Sequence, residues 1–238
     1  MTNILTSLIS TQTAKYGDRE VFRYKETADG EWIITSWAQY QEKVDAIACA
    51  MESLNLNPQD NISVFSANRP EILITDYAAY ANRAVPVSIY STSSKSQVKY
   101  IVNDSQSRFL FVGNEEQYKI ARSIINECKS VEHIITYDNV KCDEDDEITL
   151  SFDQFLALGR NASDECRAEI KKRQAEATPD DIATVLYTSG TTGKSKGVML
   201  SHANLIDNTM CQDNESTPED VLLTVLPIHH VYCFTCDI

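Results

Sequence analysis

ISVFSANRPEILITDYAAYANRAVPVSI, residues 62–89, reads as strand, helix and strand in succession. ISVF (62–65) is a short apolar run rich in strand-forming residues. Asn68 is placed to cap a helix, with Pro70 in its first turn, where a missing N–H is no loss. AVPVSI (84–89) is a second run, again apolar without alternation. A strand that is apolar on both faces is covered on both, and two such strands joined by a helix form the parallel βαβ unit.

The same alternation continues in both directions. Upstream, Ser36 and Gln39 make a capping box, and Trp37, Tyr40, Val44, Ile47, Ala48, Met51 and Leu54 then recur at helical spacing. Farther upstream, Ile4, Leu5, Leu8 and Ile9 mark a short amphipathic helix. Downstream, Ser94 and Gln97 form a second capping box before Val98, Ile101 and Val102. RFLFV (108–112), a helix near 115–127 and VEHIIT (131–136) follow. The expected fold is α/β, a parallel sheet flanked by helices. KCDEDDE (141–147) is an acidic loop without the glycine and ligand spacing of a calcium site. The polar helical stretch 164–181 leads to the strand IATVLY (182–187). A boundary is expected near 175–180, dividing a first α/β subdomain, 1–177, from the start of a second, 178–238, cut off before it is complete.

Charge and cysteine content narrow the function. A formal net charge of −14 over 238 residues disfavours a nucleic-acid partner and general attraction to anionic lipid. No stretch is long and apolar enough for a membrane helix, which leaves only peripheral membrane contact open. The start of the chain lacks the basic region and apolar core of a secretory signal. Seven cysteines without framework spacing suggest reduced thiols in a cytoplasmic protein. Cys233 and Cys236 form a lone CxxC, a weak zinc signal without a second pair.

The chemistry is concentrated in TSGTTGKSKG (188–197), ten residues with three Gly, three Thr, two Ser and two Lys. Glycines let the backbone turn tightly and aim several N–H groups at one point. Hydroxyls and lysines add donors and positive charge, so the loop suits a polyphosphate. A Walker loop is excluded on two grounds. Its first glycine would stand at Thr188, and KGVML (196–200) reads as a strand, with the helix starting only near His202, whereas a Walker loop opens a helix.

YTSGTTGKSKGVMLSHANL (187–205) resembles the phosphate-binding signature of the adenylate-forming superfamily, which includes acyl-CoA synthetases, luciferases and peptide-synthetase adenylation domains. Ser195 departs from the common proline, and Lys194 occupies the free position. The likeness extends to residues 66–94, with Asn-x-Pro-Glu before a helix and a Val-Pro strand, and to LPIHHVY (226–232). The fold implied is the N-terminal portion of the large domain of such an enzyme, with the chain a fragment. The activity implied is ATP-dependent conversion of a carboxylic acid to an acyl-adenylate and then to a CoA thioester, with ATP, Mg²⁺ and CoA required. By the same resemblance, Thr188, Ser189, Gly190, Thr191, Thr192, Gly193 and Lys196 bind the ATP phosphates and Thr188 lies nearest the metal. His230 lines the acyl pocket, and His229 reads as a polar neighbour in a packed turn. No catalytic residue is identified, and a fragment lacking the adenine, ribose and acidic metal-binding blocks is expected to be inactive alone. VPVSIYSTSS and LPIHHVY look most like long-chain fatty acid–CoA ligases. A short-chain or aryl acid ligase, or a non-catalytic nucleotide-binding module, remains as the alternative. His133 and His202 read as structural.

Overall fold

The computed structural model describes residues 5–142, 146–189, 195–210, 217 and 219–228. A 3-10 turn at Leu5–Ser7 leads into α1 (Leu8–Tyr16), and β1 (Glu20–Tyr24) pairs only with β2 (Ile33–Ser36). There follow α2 (Trp37–Ser53), β3 (Asn61–Phe65), α3 (Pro70–Ala81), β4 (Val85–Ile89), α4 (Lys95–Ser105), β5 (Phe109–Val112) and α5 (Glu115–Ile124). Then come β6 (His133–Thr136), β7 (Thr149–Ser151), α6 (Phe152–Arg160), α7 (Asp164–Glu176), β8 (Ile182–Ser189), β9 (Ser195–Ser201) and α8 (His202–Met210).

Seven strands form one sheet in the order β7-β6-β5-β3-β4-β8-β9. Every neighbouring pair is parallel except β8 with β9. Both faces are covered, as the uninterrupted apolar strands require. On one face, α2, α3, α6 and α7 pack against Ile62, Val64, Phe109 and Phe111. On the other, α4 and α5 cover Phe65, Val87, Leu110 and Val112.

The expected capping boxes at Ser36/Gln39 and Ser94/Gln97 are both formed. Two more open α5, at Asn114/Gln117, and α6, at Ser151/Gln154. Asn68 does not cap α3. Its N-cap is Arg69, without a side-chain bond, and Pro70 is in the first turn as expected. The Asn68 amide is occupied elsewhere: it donates to the Leu226 carbonyl at 2.7 Å and accepts from the Ile228 N–H at 2.9 Å. β8, which follows the boundary expected at 177/178, pairs with β4 through Val87↔Val185 and Ser88↔Leu186. The approach to β8 is fastened by Arg83, which donates to Asp181 at 2.8 and 3.2 Å.

α7 is polar overall, yet Cys166, Ile170 and Arg173 are buried along one side of it. Arg173 donates to the Leu56 carbonyl at 2.7 Å and to Asn82 Oδ1 at 2.9 Å. Asn82 in turn donates to the Ala48 carbonyl at 2.9 Å. This buried chain of polar contacts joins α7, α3 and α2, and its donors are matched to acceptors as burial demands.

Two buried ionisable groups give stability a distinctive pH dependence. Burial pushes the Asp76 carboxyl up to about 8, and its Oδ1 has no hydrogen-bond partner among the described residues. Burial pushes the His202 imidazole down to about 4. An unfolded carboxyl releases its proton near pH 4, so the Asp76 contribution is complete below about 4 and is lost as pH rises to about 8. An unfolded imidazole protonates near 6.5, so the His202 contribution is lost as pH falls from about 6.5 toward 4. The two oppose each other between about 4 and 6.5, and from there to about 8 the Asp76 loss is no longer offset by His202. Asp76→Asn is expected to flatten the fall in stability between pH 6.5 and 8, read as the urea midpoint at a series of pH values. A fall that persists in the variant would assign it to another group.

Candidate functional site at the carboxyl edge of the sheet

Parallel pairing places the ends of β3, β4, β5 and β8 on one edge, at Phe65, Ile89, Val112 and Ser189. The chain leaving β3 enters α3 on one face, whereas the chains leaving its neighbours β4 and β5 enter α4 and α5 on the other. In open α/β sheets, ligands bind outside the carboxyl ends of the strands where such a reversal occurs.

Arg69 and Asn68, in the turn after β3, tie this edge to other segments of the chain. The Arg69 guanidinium donates to the Gly113 carbonyl at 3.0 Å and to Asp138 at 2.8 Å, and lies 5.2 Å from the Tyr137 ring. Asn68 holds Leu226 and Ile228, so the Asn-x-Pro-Glu turn and the start of LPIHHVY meet across a separation of 158 residues in the chain. Sequence reasoning marked both segments but had no signal for their contact.

The glycine-rich loop departs from the same edge. β8 and β9 form an antiparallel hairpin whose last described rungs are Thr188↔Lys196 and Ser189↔Ser195. Thr188 and Lys196 are exposed, and as directly opposed residues they share one face of the hairpin. KGVML is in a strand and α8 begins at His202, as the exclusion of a Walker loop required. At the next rung Tyr187 faces Gly197, where an added Cβ would stand 2.8 Å from Val185 Cγ1 and 3.2 Å from the Tyr187 ring. The Tyr187 ring thus lies across β9, and its hydroxyl donates to Asp104 at 2.7 Å. Burial, with the Asp104 bond second, raises the Tyr187 pKa, which keeps the hydroxyl a donor.

Gly190, Thr191, Thr192, Gly193, Lys194, His229, His230, Cys233 and Cys236 lie outside the described residues, as does the Ser189 side chain. His202 packs edge-on to Tyr80 at 5.5 Å between centroids, and His133 to Phe109 at 5.3 Å. In the acidic loop, Asp146 accepts from Tyr118 at 2.6 Å and pairs with Arg122 at 3.2 Å. Among the described residues no group of three or more His, Cys, Asp or Glu is arranged to hold a metal. Nor is any described helix long and apolar enough to cross a membrane.

A mixed sheet dominated by parallel pairing and covered by helices on both faces defines the class as an α/β fold. A family model described as AMP-binding enzyme matches residues 9–238, and the chain belongs to that family. Fatty acyl-CoA synthetase A of Dictyostelium discoideum is 32% identical over 225 residues, covering 91% of this chain and 32% of its own. Long-chain-fatty-acid–CoA ligase FadD15 of Mycobacterium bovis is 29% identical over 231 residues, covering 90% of this chain and 35% of its own. The chain thus spans about a third of the length of the curated relatives it matches. Among solved structures, the N-terminal domain of FACL13 from Mycobacterium tuberculosis aligns with a TM-score of 0.76 at 20% identity, over 99% of this chain and 54% of that one. A putative long-chain-fatty-acid CoA ligase from Rhodopseudomonas palustris aligns with a TM-score of 0.78 at 16% identity, over 98% of this chain and 55% of that one.

Proposed function

We propose that this chain carries the ATP-phosphate loop of a fatty acid–CoA ligase, with long-chain acids as substrates. The observation that carries the reading is the hairpin itself: a Gly/Thr/Ser loop leaves the carboxyl edge between two paired strands, in a member of the AMP-binding enzyme family. In the reaction proposed, the fatty acid carboxylate attacks the α-phosphorus of ATP, the bond to pyrophosphate breaks and an acyl-adenylate forms. The CoA thiol then displaces AMP and loses its proton to solvent. No protein nucleophile is needed, and the work of the protein is placement and charge stabilisation.

Thr188, Ser189, Gly190, Thr191, Thr192 and Gly193 would hold the β- and γ-phosphates, with Lys196 as supporting charge. Thr188 and Lys196 share one exposed face beside residues 190–194, a position suited to this role. His230 is proposed to line the acyl pocket, and Asn68 holds the backbone two residues before it. Mg²⁺ would be carried mainly by phosphates and water, with the exposed Thr188 at the loop's edge as a hydroxyl donor suited to a hard cation. When bound it would neutralise phosphate charge.

The test is pyrophosphate release from ATP by a protein carrying this chain together with the remaining length its relatives have. Palmitate, acetate, an aryl acid and amino acids are offered in turn. Turnover with palmitate and release of pyrophosphate are expected. Turnover with amino acids alone would overturn the fatty acyl reading, and release of phosphate in place of pyrophosphate would overturn adenylate formation. The 238-residue chain alone is expected to form no acyl-adenylate.

A further inference from the structure

The strands on either side of the glycine-rich loop are tied to one helix that the family motif does not include. α4 covers the opposite side of the sheet from α3, and Tyr100 and Asp104, four residues apart, project from one side of it. The Tyr100 hydroxyl donates to the Ser195 carbonyl at 2.9 Å, at the start of β9. Asp104 accepts from the Tyr187 hydroxyl at 2.7 Å, near the end of β8. The two tyrosine rings meet edge-on, with centroids 6.3 Å apart and planes at 86°. At 197 an added Cβ would crowd Val185 Cγ1 at 2.8 Å and the Tyr187 ring at 3.2 Å, so glycine eases the passage of Tyr187 over β9 toward the helix. One short stretch of helix therefore grips the strand entering residues 190–194 and the strand leaving them.

We propose that Tyr100 and Asp104 are positioning residues that hold the two ends of the phosphate loop at a set span. The proposal deepens the ATP-phosphate reading and rests on it for the identity of the ligand. The physical reason is entropic. A glycine-rich loop loses more conformational freedom on ordering than any other, so binding a polyphosphate is weakened unless its ends are fixed beforehand. Two side chains from one helix provide this by contacts at residues 187 and 195, on either side of the loop. Backbone pairing fastens β8 to β9 and, at Val87↔Val185 and Ser88↔Leu186, to β4; Tyr100 and Asp104 add a side-chain tie nearer the loop, beyond the last of those β4 rungs.

Deuterium exchange, read by mass spectrometry on the 238-residue chain, tests the anchor with and without sodium tripolyphosphate. Asp104→Ala and Tyr100→Phe are expected to raise exchange at amides 187–197 about tenfold, the scale of one lost hydrogen bond, with β3 and β5 unchanged. Asp104→Asn keeps an accepting oxygen and is expected to stay near the unsubstituted chain. Tripolyphosphate should slow exchange at 187–197 in the unsubstituted chain and in Asp104→Asn, and much less in Asp104→Ala. Unchanged exchange in both Asp104→Ala and Tyr100→Phe overturns the anchor. So does an Asp104→Asn variant that behaves as Asp104→Ala. If tripolyphosphate protects nothing in the unsubstituted chain while Asp104→Ala and Tyr100→Phe still exchange faster, the phosphate reading falls and the anchor stands.

Discussion

Gly159→Ala is expected to destabilise the chain by about 3 kcal/mol or more, enough to remove much of the stability of an ordinary domain. Helix propensity by itself predicts the opposite sign, because alanine is favoured over glycine inside a helix by about 1 kcal/mol. Packing decides against it. A Cβ at Gly159 would stand 1.6 Å from the Ala46 carbonyl oxygen and 3.0 Å from the Ala50 nitrogen, both backbone atoms of α2. No rotamer change relieves a clash with backbone, so α6 must move away from α2. That movement would open the contacts of Phe155 and Leu156 with the buried side of α2. The measurement is the urea midpoint of the variant, with Leu158→Ala, at an exposed position of the same helix, as a control expected to change stability by about 0.5 kcal/mol. A Gly159→Ala midpoint equal to that of the unsubstituted chain would mean that α2 and α6 are not in such close approach.

Thr188→Ala or Thr191→Ala is expected to slow acyl-adenylate formation roughly ten- to a hundredfold, in a protein carrying this chain and the rest of the length its relatives have. The figure is that of one hydrogen bond to a charged group, about 1.5–3 kcal/mol, expressed as a rate. Pyrophosphate departs in the first half-reaction, so a loop that grips the β- and γ-phosphates has nothing left to hold in the second. Thioester formation from supplied acyl-adenylate and CoA should therefore remain near its unsubstituted rate. Lys196→Ala should resemble the threonine variants, and Lys194→Ala should alter neither step greatly. Each half-reaction is measured separately for each variant. Equal losses in both would show that the loop shapes the whole site, and the assignment to the phosphates would have to be abandoned.

Much of the layer architecture was legible because its signals are local. A capping box joins residues three apart, so Ser36/Gln39 and Ser94/Gln97 announce α2 and α4 before any packing is known. The same three-residue pattern at Asn114/Gln117 and Ser151/Gln154 opens α5 and α6, whereas the β1–β2 hairpin has no comparably local signal. Asn68 was misread for an instructive reason. Asparagine before proline is a sound cap by local rules, but a carbonyl and an N–H brought from residues 226 and 228 take its amide instead. The polar helical stretch before residue 182 carries no sign that β8 pairs with β4, a contact between residues about a hundred apart.

The sequence by itself determined the parallel α/β class, the helix starts and the strand after the glycine-rich loop, which separates it from a Walker loop. These follow from residue type and spacing within one or two turns or strands, where neighbours along the chain are neighbours in space. Only the tertiary structure decided that Tyr187 meets Asp104 across 83 residues, that Tyr100 meets Ser195 across 95, and that Asn68 meets Leu226 across 158. The physical reason is that a hydroxyl, carboxylate or amide carries no address. Many equivalent partners exist along the chain, and the choice among them is made when apolar burial stacks α4 and α3 on opposite faces of the sheet.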